Sequence, residues 1–252
     1  MINCSLMQSN YSSSVKPHEQ PAYVREIIMD YEIIKQPRVL PNRVIYLTAK
    51  RILDVGICLI ILPWILPLML FCALAIYLDS PGPIFFVQER MGRGGRLFKM
   101  YKFRTMIEDH DHRHCQAFMN AYVRAEIEPD PDGTALFKPI KRGDTFQVGR
   151  ILRKLSLDEL PQIINVLKGD MSIVGPRPNV LWEVEAYRPW HYERMEVLPG
   201  ITGLAQVRGR SSIDFACLVR NDIEYIENQS MSLDLKILWW TFLSALSGKG
   251  AG

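Results

Sequence analysis

The chain has 252 residues, of which 48% are apolar and 23% are charged, and its formal net charge is +3. This length holds one large domain or two small ones with a substantial core, and so small a charge gives no indication of nucleic-acid binding. Five cysteines without a CxxC pair argue against a disulfide framework or a zinc finger, and they suit a reducing compartment.

Residues 1–47 form an N-terminal extension without the features of a secretory signal. Its first half is polar and lacks an apolar h-region. We predict disorder over residues 1–20 and short surface elements over residues 23–47, because Pro37 and Pro41 interrupt the apolar clusters there.

An uncharged segment of 24 residues, Val55–Leu78, comes next. It is long enough to cross a bilayer as a helix. It also contains Pro63 and Pro67, and the second proline has no N–H to donate to the carbonyl of the first. A helix over this segment is therefore expected to bend at the two prolines.

Basic residues stand on both sides of the uncharged segment. Lys50 and Arg51 precede it, and six cations without an acidic residue follow over residues 90–104. The positive-inside rule then favours both ends on the cytoplasmic side. The sequence predicts a re-entrant membrane helix over residues 48–80, with a straight span or a buried helix of a soluble protein as the alternatives.

The basic residues after the segment belong to a predicted hairpin. Turn-forming stretches at 79–83 and 91–95 alternate with runs of strand character at 84–89 and 97–103. The cations indicate contact with anionic lipid or phosphate, or else a solvated basic hairpin.

Three carboxylates follow the hairpin directly: Glu108, Asp109 and Asp111. The spacing of apolar residues predicts a helix over 108–128 that begins at these carboxylates. They suit the roles of nucleophile, general base and Mg²⁺ ligand, although acidic residues at a helix start also serve simply as caps. A solvated helix face is favoured over a transition-metal site for the alternating His110, His112 and His114.

Residues 149–168 are predicted to be helical with a break near Ser156. A capping box at 156–159 predicts that the helix resumes by Asp158, and Gly169 ends it. A short strand at 171–174 and a proline-fixed loop at 175–178 follow. This part of the chain supplies candidate phosphate-binding cations, Arg153, Lys154 and Arg177. It also supplies carboxylates that would orient those cations or bind sugar hydroxyls, Asp158 and Glu159.

The C-terminal part is rich in aromatic residues. We predict an amphipathic stretch at 181–196, a tight loop at 199–203, and helices at 214–227 and 233–246. The last helix either lies at the membrane interface or belongs to the core, and the residues that favour the interface are Trp239, Trp240 and Phe242.

Five stretches of the chain carry a family resemblance when they are taken together. They are Lys50-Arg51-x-x-Asp54 before the proline-containing segment, then residues 98–106, 152–162, 165–178 and 198–203. In this order they resemble the bacterial sugar transferases that load polyprenyl phosphate, the monotopic phosphoglycosyl transferases. The resemblance covers about residues 48–246.

This resemblance implies a fold and a location. The fold is α/β but mostly helical, with a catalytic domain over residues 81–252, a short hairpin and amphipathic interface helices. The proline-bent re-entrant helix at 48–80 anchors it to membrane lipid on the cytoplasmic face of the inner membrane. The resemblance leaves open whether the protein forms a homodimer.

The resemblance also implies an activity. Members transfer a sugar 1-phosphate from a nucleotide diphosphate sugar, usually UDP-linked, to undecaprenyl phosphate with Mg²⁺, which initiates polysaccharide synthesis. An aspartate just after the Phe-Arg-Thr-Met motif attacks the β-phosphate and releases UMP, and the lipid phosphate then displaces the sugar phosphate. Asp109 matches this nucleophile, whereas Glu108 and Asp111 are both candidates for its partner and Glu108 also for the attacker. Glu108 and Asp109 are the implied Mg²⁺ ligands.

The implied substrate-binding residues extend over both halves of the catalytic domain: Lys99, Lys102, Arg104, Arg153, Asp158, Glu159, Gln162 and Arg177. Pro67 fits the helix-breaking proline of the family, and Pro63 is additional. The family often carries an arginine and a threonine ahead of Val148-Gly149, where this chain has Asp144 and Phe146. That departure weakens any transfer of nucleotide contacts to this loop.

Two other functions remain open from the sequence. A catalytically inactive, membrane-anchored binding or assembly protein would release no UMP from any nucleotide sugar. A membrane phosphatase would release inorganic phosphate instead. The number of ordered motifs favours the transferase.

Overall fold

The computed structural model describes residues 43–107, 112–124, 126, 144–209 and 213–246. Over these ranges the protein is mostly helical, with two small two-stranded sheets and one helix long and apolar enough to cross a membrane. The helices are α1 (Arg43–Asp79), α2 (His112–Val123), α3 (Gln147–Lys154), α4 (Gln162–Lys168), α5 (Leu181–Val184), α6 (Leu204–Arg208), α7 (Phe215–Glu227) and α8 (Met231–Leu246). The strands are β1 (Phe85–Met91), β2 (Leu97–Phe103), β3 (Ser172–Val174) and β4 (Gly200–Thr202).

Helix α1 is 37 residues long and contains both prolines. It begins at Arg43, so the prediction of separate short elements up to residue 47 is wrong for residues 43–47. One face of α1 is buried at intervals of three or four residues wherever it meets the domain: Lys50, Asp54, Cys58, Met69, Cys72 and Ile76. The opposite face is exposed and strongly apolar: Leu59, Ile60, Trp64, Leu66, Leu70, Phe71 and Leu74.

The buried face of α1 packs on the same domain before and after the prolines. Before them, Cys58 joins an apolar cluster with Met100 of β2 and Val166 of α4. After them, Cys72 and Ile76 join a second cluster that includes Phe103 of β2. Residues of β2 therefore share an apolar cluster with each half of the helix.

Polar side chains fix the first half of α1 to the domain. We call them the docking cluster: Lys50, Arg51, Asp54 and Asp234. The ammonium of Lys50 lies 2.9 Å from a carboxylate oxygen of Asp234 in α8. Arg51 donates to the carbonyls of Val166 and Leu167 at the end of α4, where a cation is favoured by the helix dipole. The basic residues that precede the apolar segment in the sequence, Lys50 and Arg51, thus bond to other parts of the protein.

Strands β1 and β2 form the predicted antiparallel hairpin, with Phe85 opposite Phe103 and Met91 opposite Leu97. The six cations of this region divide into two groups. Arg90, Lys102 and Arg104 are buried, whereas Arg93, Arg96 and Lys99 are exposed. The alternative of a solvated basic hairpin is therefore wrong for Arg90, Lys102 and Arg104.

The predicted break near Ser156 is confirmed, but the predicted capping box is wrong. Ser156 adopts a left-handed conformation with φ 56°, and its side chain makes no capping hydrogen bond. A single 3₁₀ turn, Leu157–Glu159, follows, and α4 begins only at Gln162, after Pro161. The capping role fails because the Glu159 carboxylate accepts hydrogen bonds from cations elsewhere in the fold. Gly169 ends α4 as predicted, with φ 89°.

The remaining elements form a second part of the core around α7. The predicted loop at 199–203 is instead partly a strand, because β4 pairs in parallel with β3.

The aromatic stretch at 181–196 folds as α5 and a 3₁₀ helix, Pro189–Met195, and its Trp182 and Tyr192 are buried. Helix α2 ends at Val123, earlier than predicted. Helix α8 buries Asp234 and Ile237 and exposes Trp239, Trp240 and Phe242.

Candidate functional site

Five of the predicted site residues come together beside β2. We call them the charge cluster: Lys102, Arg153, Asp158, Glu159 and Arg177. One carboxylate oxygen of Glu159 accepts from the Lys102 ammonium at 2.9 Å and from the Arg177 guanidinium at 3.4 Å. Asp158 interacts electrostatically with Lys102, Arg153 and Arg177. The cluster thus contains three cations and two adjacent carboxylates.

The local fold explains how these side chains meet. Strand alternation places Lys102 on the inner face of β2, with only 1% of its surface exposed. The 3₁₀ turn before α4 presents Asp158 and Glu159, and the loop after β3 presents Arg177. The helix break at Ser156 is therefore what directs both carboxylates toward β2.

The pKa values of Lys102, Arg153, Asp158 and Glu159 are displaced from their ordinary positions. Burial alone would raise the pKa of Glu159, but the cations Lys102 and Arg177 outweigh it and lower that pKa to about 2. Burial raises the pKa of Asp158, although Lys102 opposes this shift. Burial also lowers the pKa of Lys102 and of Arg153. Two adjacent carboxylates with opposite shifts in a basic environment are typical of functional sites.

Arg153 connects this cluster to the stretch that leads into the predicted nucleophile. Its guanidinium lies 3.2 Å from the sulfur of Met106, and the backbone N–H of Ile107 donates to the carbonyl of Asp144. Glu108, Asp109 and Asp111 lie outside the described residues, so their predicted roles stay predictions. The helix start predicted at residue 108 lies there too, as do the side chains of the three histidines.

Three further predicted binding residues lie apart from the ion pairs of the charge cluster. The guanidinium of Arg104 donates to the carbonyls of Ser80 and Pro81, at 2.6 and 2.9 Å, just after α1 ends. It also lies over the ring of Phe146, at 5.5 Å from the centroid. Lys99 is exposed on β2, and Gln162 is buried at the start of α4. Their substrate-binding roles stay predictions.

The departures from the family pattern also have structural roles here. Phe146 covers the Arg104 guanidinium, and Asp144 is buried with its carbonyl bonded to Ile107. These two residues hold the end of the hairpin.

Among the described residues, no group of three or more His, Cys, Asp or Glu side chains is arranged to hold a metal ion. The two carboxylates of the charge cluster do not fit a Mg²⁺ site, because nearby cations already compensate their charge. A magnesium site built from Glu108 and Asp109 lies outside the described residues.

Two buried arginines near Arg177 were not assigned a site role by sequence reasoning. Arg194 forms an ion pair with Asp222 of α7, at 2.5 Å, and Arg90 donates to the carbonyl of Pro178. Arg90 was noted only as one member of the basic hairpin. Arg194 lies in an aromatic stretch whose pattern indicates packing, so no local signal distinguishes it.

Known proteins resemble this chain over most of its length. A UDP-glucose:undecaprenyl-phosphate glucose-1-phosphate transferase of Caulobacter vibrioides is 42% identical over 212 residues, which cover 80% of this chain and 71% of the relative. A UDP-N-acetylgalactosamine-undecaprenyl-phosphate N-acetylgalactosaminephosphotransferase of Aeromonas hydrophila is 37% identical, over 82% of this chain and 46% of the relative. An undecaprenyl-phosphate galactose phosphotransferase of Salmonella typhimurium is 39% identical, over 80% of this chain and 41% of the relative. The chain thus spans less than half the length of two of these relatives.

A family-wide comparison agrees with these pairwise similarities and with the order of the five motifs. The sequence profile described as "Bacterial sugar transferase" matches residues 45–248, which include α1 from its third residue onward and all the residues of the charge cluster. The chain belongs to the bacterial sugar transferase family.

Proposed function

We propose that this protein transfers a sugar 1-phosphate from a nucleotide diphosphate sugar, with UDP-sugars as the first candidates, to undecaprenyl phosphate, and so initiates synthesis of a polysaccharide. The relatives named for such transfers support the sugar donor and the lipid acceptor. The observation that carries the proposal is the charge cluster, in which Lys102 is buried and Arg153 and Arg177 are partly buried, and in which Arg153 contacts the segment that leads to Asp109.

The charge cluster has the properties that a diphosphate requires. A nucleotide diphosphate sugar carries two negative phosphates, and the phosphate of the leaving UMP gains charge as the bond breaks. The guanidinium groups of Arg153 and Arg177 suit bidentate contact with phosphate oxygens. The Glu159 carboxylate accepts hydrogen bonds from Lys102 and Arg177, so these two cations are oriented before the substrate arrives.

The proposed reaction has two displacement steps at one phosphorus atom. A carboxylate oxygen of Asp109 attacks the β-phosphorus, the bond from that phosphorus to the bridging oxygen breaks, and UMP leaves with the electron pair. An oxygen of undecaprenyl phosphate then attacks the same phosphorus and displaces the Asp109 carboxylate. The product is undecaprenyl diphosphate sugar, and the enzyme returns to its initial state.

The proximity of Asp109 to the cations is supported by chain connectivity. Arg153 contacts Met106, and Asp109 follows Met106 by three residues. Three residues span at most about 11 Å, so chain connectivity supports the proposal that Asp109 acts near Arg153. Mg²⁺ held by Glu108 and Asp109 belongs to the proposal, and its role would be to neutralise phosphate charge.

We further propose that α1 enters and leaves the membrane on the cytoplasmic side. Both halves of α1 pack on one domain, which supports a helix whose two ends stay on the same side of the membrane as that domain. Its exposed face is apolar around Pro63 and Pro67, and both ends carry residues that bond the domain, Asp54 and Asp79. The catalytic domain would then lie directly at the membrane surface, where the phosphate of undecaprenyl phosphate is found.

The test is a screen of nucleotide sugars with undecaprenyl phosphate in detergent, with UMP release as the readout. The parent protein should release UMP with one or a few UDP-sugars, and Asp109→Asn should reduce the rate by at least about 10³-fold. Intact-mass measurement without lipid acceptor should detect a phosphosugar on the parent protein and none on Asp109→Asn.

Matched variants separate the three neighbouring carboxylates. Glu108→Gln and Asp111→Asn should both still form the covalent adduct if Asp109 is the attacker. An adduct on Asp109→Asn that is lost in Glu108→Gln would transfer the role of nucleophile to Glu108. Absence of UMP release with every donor would support a binding or assembly protein, and release of inorganic phosphate would support a phosphatase.

A further inference from the structure

The loop that carries Arg177 is held by its own backbone carbonyls. Four consecutive carbonyl groups each accept one hydrogen bond, and the donors come from three separate parts of the chain. Pro176 accepts from the Gly200 N–H at 2.8 Å, Arg177 from Arg194 at 3.3 Å, Pro178 from Arg90 at 3.1 Å, and Asn179 from the Met91 N–H at 2.9 Å. Two of the donors are thus side chains of buried arginines.

Arg194 reaches the loop from the second part of the core. One terminal nitrogen bridges the Arg177 carbonyl and a carboxylate oxygen of Asp222, and the other donates to the Tyr187 hydroxyl at 3.0 Å. Its charge is compensated, because Asp222 lies 2.5 Å away on α7. The guanidinium also lies over the ring of Phe215. Arg194 therefore couples helix α7 to the backbone of Arg177.

Arg90 reaches the loop from the opposite side. One terminal nitrogen donates to the Pro178 carbonyl, and the other donates to the side-chain oxygen of Gln88 at 2.5 Å. Only 4% of its surface is exposed, and its hydrogen-bond partners within the described part of the chain are neutral. The carboxylates of Glu183 and Glu159 lie near enough to stabilise its charge electrostatically. These hydrogen bonds of the guanidinium therefore serve to hold neutral groups, and one of these is the backbone carbonyl that follows Arg177.

Tight packing leaves the backbone of this loop little room to adjust. A Cβ atom at Gly175 would collide with the carbonyl of Leu198, and one at Gly200 would collide with the backbone of Gly175. The prolines on either side of Arg177 restrict the backbone further. The direction in which the Arg177 side chain leaves the loop is therefore set by the groups that hold its carbonyls.

We infer that Arg90 and Arg194 are positioning residues for Arg177, and that together they fix its guanidinium for the diphosphate of the nucleotide sugar. This inference rests on the function proposed above. Arg90 and Arg194 need not touch the substrate. They act through the backbone of residues 177 and 178, and the ion pair with Asp222 keeps Arg194 in place.

A double-mutant cycle tests this coupling. The variants Arg194→Lys and Arg90→Lys keep a positive charge, but a single ammonium cannot reproduce the divergent contacts of the guanidinium. Each is made in the parent chain and in the Arg177→Ala background. Binding of UDP in Mg²⁺ buffer is measured by calorimetry on the full chain in detergent, and KM and kcat are measured where turnover persists.

Each lysine variant should weaken UDP binding and raise KM by at least about tenfold in the parent chain. In the Arg177→Ala background the same substitutions should change UDP binding by less than about twofold, because their effect passes through Arg177. Arg208→Lys is the matched control: it alters an arginine–carboxylate pair with Glu224 on the same helix as Asp222, but one that is exposed. It should leave UDP binding unchanged in both backgrounds.

The melting temperature of each variant distinguishes positioning from a general loss of stability. If Arg194→Lys does not fold, Arg90→Lys carries the same test from the other side of the loop. If the effects of Arg90→Lys and Arg194→Lys on UDP binding simply add to the effect of Arg177→Ala, the inference is overturned. That result leaves the proposed function intact as long as the parent protein is active. A parent chain that neither binds UDP nor releases UMP would instead remove the proposed function, and the inference with it.

Discussion

The protein contains two clusters of charged side chains that differ in how their ion-pair and hydrogen-bond partners are distributed. In the docking cluster each charge has a dedicated set of partners. Asp54 accepts from the hydroxyl of Ser172 at 2.7 Å and from the N–H of Ile173 at 3.1 Å, and Lys50 pairs with Asp234. In the charge cluster three cations share two adjacent carboxylates, and one oxygen of Glu159 serves two of the cations.

This difference indicates different roles. Matched partners satisfy the charges of the docking cluster, so it fastens α1 to the domain and offers little to a ligand. In the charge cluster the described carboxylates are each shared by several cations, an arrangement that suits the binding of an anion such as phosphate. Variants of the docking cluster should therefore lower stability, and variants of the charge cluster should lower activity.

The largest effect is expected for Arg177→Ala. Loss of a preoriented guanidinium at the site should reduce kcat/KM for the nucleotide sugar by about 10²–10³-fold. The melting temperature should change by less than about 4 °C, because the longer of the two Glu159 bonds is lost and the Lys102 pair remains. UMP release and thermal unfolding are measured on the same preparation.

Arg93→Ala is the control for this variant, because Arg93 belongs to the same basic region but is exposed in the hairpin turn. Its activity and stability should match the parent. A loss of stability in Arg177→Ala that parallels its loss of activity would remove the distinction between the two clusters.

Lys50→Met should have the largest effect on stability. Among the described residues, it leaves the Asp234 carboxylate, which is 1% exposed, with the hydroxyls of Tyr46 and Tyr225 as its remaining side-chain partners. Breaking a buried ion pair in this way costs about 3–5 kcal/mol. We expect the melting temperature in detergent to fall by roughly 6–15 °C.

The double variant Lys50→Met/Asp234→Asn provides the control for charge. A neutral amide at position 234 does not require a cation, so part of the lost stability should return. Protein that remains folded should keep a kcat/KM close to that of the parent. If the double variant were less stable than Lys50→Met, the unpaired carboxylate would not be the cause of the loss.

A smaller loss is expected for Asp54→Asn. Asp54 joins α1 to the start of β3 through two hydrogen bonds, and an amide retains only one oxygen to accept them. Loss of one buried charge-assisted bond should cost about 1.5–3 kcal/mol in thermal or chemical unfolding. Asp79→Asn, at the exposed end of the same helix, keeps an acceptor for the Val148 N–H and should cost much less. Equal losses for both variants would contradict the special role of the docking cluster.

The sequence predicts the local elements of both regions well. The apolar run, the hairpin, the break near Ser156 and the stop at Gly169 all depend on residues close together in the chain, and the structure contains each of them. Local patterns also single out Arg153, Asp158, Glu159 and Arg177, and they place Lys102 among the cations of the hairpin.

Sequence reasoning fails where the decisive partner is distant. Lys50 looks like a flanking charge of a membrane segment until Asp234, 184 residues later, appears beside it. Ser156 and Glu159 fit a capping box in the sequence, but in the structure the Glu159 carboxylate accepts a hydrogen bond from Lys102 instead. Arg194 gives no signal at all, because its partners, the Arg177 carbonyl and Asp222, are brought to it only by tertiary packing.

The smallest effect concerns the pH dependence of stability, and it tests whether Glu159 is held by the cations. Its pKa of about 2 lies below the ordinary value near 4.5, since Lys102 and Arg177 overcome the effect of burial. The ionised carboxylate therefore stabilises the folded protein fully above pH 4.5, and this contribution decreases as pH falls from 4.5 toward 2. The melting temperature of the parent minus that of Glu159→Gln should be constant between pH 6 and 8 and should shrink below pH 4.5. Glu224→Gln, which alters an exposed pair with Arg208, should show a small difference throughout. A difference for Glu159→Gln that persisted unchanged to pH 3 would show that the cations do not hold this carboxylate in its ionised form.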